Sequence, residues 1–137
     1  MSQDAKQTVK EERRLIRLPM ESNLGKVGIR EDVLAVMAGI AAVEVDGVAS
    51  INRNATRQLI AKLGMKSLAG GVKVIEQEGN LIVNLNLNLE YGAVAAEVSQ
   101  NVQDKVKNNL ENMTGLKVET VNVAIAGVEL ADRKDKS

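Results

Sequence analysis

Few residues in this 137-residue chain can do chemistry, and their types narrow the field at once. Histidine and cysteine are both absent. That removes the imidazole base, the thiolate nucleophile, disulfides and nearly every zinc or haem site. What is left is carboxylates, lysines, serines and Tyr91. The acidic pairs near element ends are Glu44 with Asp46 and Glu90 with Glu97. Paired carboxylates can move protons or hold a divalent cation, but only when they converge in a pocket. At the ends of helices and strands they read as solvated charges. Ser67 and Ser99 lack an imidazole partner, and neither adjoins a Ser-x-x-Lys motif. The stretch from Gly64 to Gly71 suggests a phosphate loop but fails the pattern, because Met65 stands where glycine must precede Lys66-Ser67. The expectation is therefore a non-enzyme with no catalytic residue, no metal and no cofactor.

Composition restricts binding as well. Lysine plus arginine and aspartate plus glutamate each number 18, giving a formal net charge of zero. No global field draws this chain to nucleic acid or to an anionic bilayer. Tyr91 is its only aromatic residue. Stacking platforms for single-stranded nucleic acid are thus missing, and any protein interface must rely on aliphatic side chains. Met1 is followed by a polar stretch with no apolar signal core, and no apolar run reaches the roughly 18 residues of a membrane span. The expected location is cytoplasmic.

The elements that would carry these residues follow from periodicity. Leu81, Val83, Leu85, Leu87, Leu89 and Tyr91 alternate with Ile82, Asn84, Asn86, Asn88 and Glu90, the pattern of a half-buried strand. Val72–Gln77 precedes it across Glu78-Gly79-Asn80, a hairpin signal. Beyond Gly92 the period becomes helical, with Val94, Val98, Val102, Val106, Leu110 and Met113 on one stripe. Gly115 is placed to end this helix in a left-handed conformation, with Leu116 folding back as its apolar contact. Gly92 and Gly115 are accordingly assigned to structural turns. Val121, Val123 and Ile125 alternate along a final strand, while Leu116 and Val118 have the opposite parity. That break predicts a bulge near Glu119-Thr120.

Earlier in the chain, Lys26–Ile29 reads as a strand and Glu31 to Val45 as a helix, ended by Asp46-Gly47. Val48–Ile51 is a short strand, and Arg57 to Leu63 has the pattern of two helical turns. The 31–45 helix is apolar nearly all round, so it is buried on two sides or shared with a partner. Val33, Leu34, Met37 and Ile40 are its candidate interface residues. The mixed basic and aliphatic run Arg13–Leu18 reads as a short ordered strand in preference to a membrane anchor. The expected division is a tail at 1–24, a domain at 25–130 and a charged tail at 131–137. The fold class is α+β: a mostly antiparallel sheet of four to five strands with helices packed on one face.

In that order, several fragments carry a family resemblance. They are Gly28-Ile29, the run from Ala38 to Val48 (AGIAAVEVDGV), Gly71-Val72-Lys73-Val74, Leu89-Glu90-Tyr91-Gly92, Val98 to Val106 (VSQNVQDKV), Met113-Thr114-Gly115-Leu116, and Val121 to Val128 (VNVAIAGV). Together, over about Gly25 to Leu130, they resemble the alkaline-shock, or envelope stress response, protein family of Gram-positive bacteria. The resemblance implies a small cytoplasmic protein of cell-envelope homeostasis with no established enzymatic activity and no catalytic residues to carry over. It also implies self-association into a homo-oligomer and docking on a membrane-anchored protein partner, so that any membrane association is indirect. Two other readings remain: a small nucleic-acid-binding module, which the lone aromatic and the asparagine face argue against, and an accessory factor in fatty-acid or lipid metabolism.

Overall fold

The computed structural model describes residues 15–20, 23–52 and 71–130. The helical pattern at Arg57 to Leu63, Ser67, most of the Gly64–Gly71 loop, the first fourteen residues and the 131–137 tail lie outside the described residues.

The elements are β1 (Leu15–Arg17), β2 (Gly28–Arg30), α1 (Glu31–Val43), β3 (Val48–Ile51), β4 (Val72–Gln77), β5 (Asn80–Glu90), α2 (Ala95–Thr114) and β6 (Lys117–Glu129). The main sheet is organised around β5. On one side β4 pairs antiparallel with its first half and β3 with its second half. On the other side β6 runs parallel along its full length, so β5, α2 and β6 form a crossover unit. At the junction of β3 and β4, Asn86 is held from both strands: Asn52 N–H donates to its C=O at 2.8 Å, and its own N–H donates to Gly71 C=O at 2.9 Å. The class is α+β, as the order of elements predicts, with one parallel pair that alternation alone does not reveal.

The turn between β4 and β5 is two residues long, with positive φ at both Glu78 (55°) and Gly79 (86°). Positive φ at both central residues suits the right-handed twist of a hairpin. In β6 the predicted bulge is present: Leu81 pairs with Val118 and Ile82 with Thr120, leaving Glu119 as the extra residue. A second bulge leaves Ala126 extra.

Leu81, Val83, Leu85, Leu87 and Leu89 are all buried beneath the helices. Tyr91, assigned to the same face, lies beyond the helices and is exposed. On α2 the buried row is Val98, Val102, Val106, Leu110 and Thr114. Val94 and Met113, expected on that stripe, are exposed. The four-residue spacing continues to Thr114, whose hydroxyl donates to Leu110 C=O at 2.6 Å and accepts Leu116 N–H at 3.0 Å. Gly115 follows at φ 80°, and Leu116 is buried, as expected of the cap.

Leu15–Arg17, read from the sequence as a short strand within the tail, pairs antiparallel with β2. Ile16 is fully buried in the core, and Pro19 lies against Gly115. The packed part of the chain therefore begins well before residue 25.

Candidate interaction surface

α1 buries its small side. Leu34, Ala35, Ala38, Gly39, Ala41 and Ala42 face inward. A Cβ on Gly39 would lie 3.6 Å from Val72 Cγ2, so the small residues let the helix approach the sheet closely. The large aliphatic residues are left outside. Val33 is 43% exposed, Ile40 55% and Val43 42%, with Val36 and Met37 half-buried between them. Spacings of three and four put these residues on one side of the helix. Of the four candidate interface residues, Val33 and Ile40 stand on this stripe and Met37 flanks it. Leu34 does not join them: it is fully buried in the chain's own core, because it lies on the sheet side of the helix.

Among the described residues the chemistry-bearing side chains are dispersed. Glu44 pairs with Lys105 on α2 at 3.4 Å, while Asp46 and Glu97 are exposed. Glu90 ends β5, opposite Glu129 on β6. Among the described residues no three acidic side chains group closely enough to hold a metal ion.

The face of the sheet turned away from the helices carries the pair Ile75–Ile82 and a set of polar side chains bonded to one another. Ser50 Oγ donates to Glu129 Oε2 at 2.7 Å and accepts from Asn88 Nδ2 at 2.9 Å. Asn52 Nδ2 donates to Asn88 Oδ1 at 2.8 Å, and Asn122 Nδ2 to Asn84 Oδ1 at 2.8 Å. Gly127 stands where any Cβ would collide with the Asn88 amide. Lys73 and Lys117 share this face with Glu90 and Glu129, so it is not a basic platform. The asparagine alternation is visible in the sequence. The linkage to Ser50, Asn52 and Glu129 is not, since it depends on which strands flank β5.

Glu111 lies on the charged face of α2 that the sequence reads as solvated, yet it joins α2 to β6. Its Oε2 accepts Lys107 Nζ at 2.7 Å and Val118 N–H at 2.9 Å. The Lys107 hydrogen bond, with the Val118 N–H next in effect, holds its carboxyl below the usual carboxylate range.

A helix-backed sheet with a hydrogen-bonded outer face and an aliphatic stripe exposed on α1 defines a small α+β domain. The chain belongs to the alkaline-shock protein 23 family, described by its cell envelope-related function, whose model matches residues 19–130. It is similar to the uncharacterized protein YqhY of Bacillus subtilis, with 33% identity over 109 residues, 80% of this chain and 81% of that protein. It is also similar to YloU of the same organism, at 27% identity over 84% of this chain and 98% of YloU. A third relative, Spy1614 of Streptococcus pyogenes, is 32% identical over 77% of this chain and 89% of its own length. No solved structure matches. The family carries a cell-envelope role, and no catalytic family is indicated. Among the described residues no helix is long and apolar enough to cross a membrane.

Proposed function

We propose that this protein is a non-catalytic scaffold of cell-envelope homeostasis, which self-associates and docks on a membrane-anchored protein partner. The observation that carries this reading is the outward stripe of α1, with Val33, Ile40 and Val43 exposed together. Aliphatic residues aligned on one helix face form the seam used in helix-to-helix docking. The dispersal of the carboxylates and the absence of histidine and cysteine support a role without chemistry. The location follows as cytoplasmic, with membrane association supplied by the partner.

The test is fractionation in cells against vesicle binding in solution. The chain should sediment with membranes from lysed cells, while the purified protein stays in solution with anionic vesicles at physiological salt. Ile40→Glu should release it from the membrane fraction with its circular dichroism unchanged. Tight vesicle binding by the pure protein would make the attachment direct and this reading wrong.

A further inference from the structure

The sheet leaves the outer edge of β6 unpaired among the described residues, and α2 guards only part of it. Val118 is covered on both backbone groups: its N–H donates to Glu111 Oε2, and its C=O accepts Lys107 Nζ at 3.3 Å. Val121 C=O accepts Gln103 Nε2 at 3.0 Å. Gln103, Lys107 and Glu111 are four residues apart, so a single row of α2 reaches over the edge. The next member of that row is Ser99, which is too short to do the same. Alternate residues of a strand turn their N–H and C=O to the same edge. Val123 and Ile125 therefore present theirs where Val121 does, and among the described residues no side chain of α2 bonds them. Exposure rises along the same direction, from buried Val121 through half-buried Val123 to Ile125 at 39% and Val128 at 61%. From Thr120 to Val128 there is no charge and no proline, the residues that normally keep a free edge from pairing.

We infer that this edge is a self-pairing site, at which β6 of a second copy of the chain joins antiparallel about a two-fold axis through Val123. The inference rests on self-association but not on α1. In this register Val121 stands opposite Ile125 of the second copy, and residues on the helix side meet residues on the helix side, as directly opposed residues must. The bulges at Glu119 and Ala126 lie on opposite sides of Val123. Moving outward from the axis, each strand contributes one extra residue, so the register recovers beyond them. Lys117 then falls opposite Glu129 of the second copy, and the two-fold repeats the pair. Both residues lie on the open face, since Lys117 pairs with Asn80 and Glu129 with Glu90 in the sheet itself. This charge complementarity selects a second copy as the occupant.

Sedimentation equilibrium on the full chain tests it. Lys117→Glu and Glu129→Lys each place like charges opposite one another twice, and each should weaken the dimer about tenfold. An equimolar mixture of the two variants re-forms both opposite-charge pairs and should restore wild-type affinity. Glu129→Lys also gives up the Ser50 hydrogen bond, so a second variant is independent of it. The chain has no cysteine. Val123→Cys would put two thiols on the axis with Cα atoms about 5.5 Å apart, within reach of a disulfide. Mild oxidation should link Val123→Cys into a dimer and leave Gln77→Cys, on β4, unlinked. A wild-type dimer showing neither rescue nor this selective cross-link overturns edge pairing and leaves association through α1 standing. A chain monomeric at every concentration overturns both.

Discussion

Glu111 on α2 accepts the backbone N–H of Val118 at 2.9 Å, one residue before the bulge at Glu119. The same carboxylate oxygen holds Lys107 at 2.7 Å, so one side chain fixes the end of the helix against the start of the following strand. Without it, Val118 N–H loses its partner at the point where β6 breaks register.

The pH dependence follows from the lowered pKa of Glu111, caused first by the Lys107 hydrogen bond. A carboxyl with a depressed folded-state pKa stabilises the fold above its unfolded pKa, and loses that contribution as pH falls through the folded value. Thermal melts of wild type and Glu111→Gln should differ at neutral pH and converge in acid below the ordinary carboxylate range. A gap that persists unchanged in acid would mean that ionisation of Glu111 contributes nothing.

Gly47 and Gly92 separate backbone strain from crowding. Their φ angles are 99° and 97°, yet a Cβ at Gly47 would stand 2.6 Å from Val98 Cγ2, whereas one at Gly92 meets open space. Gly92→Ala should cost about 1–2 kcal/mol from the left-handed conformation alone. Gly47→Ala should cost about 1–3 kcal/mol more, because it overpacks the base of α2. Urea unfolding of the two variants measures the difference directly, and equal costs would remove the packing argument.

Glu78 carries φ 55° in the two-residue turn, a conformation that asparagine adopts more readily than glutamate. Glu78→Asn should raise stability by up to about 1 kcal/mol, read as a higher urea midpoint with an unchanged slope. A lower midpoint would mean that Glu78 makes a compensating contact.

Local patterns carried much of this fold. The period-two run of β5, the Gly115 cap and the parity break before Val121 each depend on near neighbours, and the sequence shows all three. What it hides is pairing between distant segments. That β6 lies parallel beside β5, and that β3 and β4 share the other edge, depends on connections that periodicity does not encode. The candidate surface was legible to the same degree. Val33, Leu34, Met37 and Ile40 are grouped by the apolar character of α1, which does not say which side faces the sheet: Val33 and Ile40 are exposed, and Leu34 is buried. The Ser50–Asn88–Glu129 network and the contacts of Glu111 needed the strand order before they could be seen.

If the outward stripe of α1 is a contact surface of the assembly, placing a charge on it must reduce the size of the particle. Light scattering across a concentration series, on wild type and on Ile40→Glu, tests it most directly. Wild type should have the mass of a dimer or larger, and Ile40→Glu should shift toward a smaller assembly with circular dichroism unchanged. Ile40 is the residue to change because it is 55% exposed, whereas Met37 is half-buried against the core. A folded Ile40→Glu protein with the same mass as wild type at every concentration would contradict it.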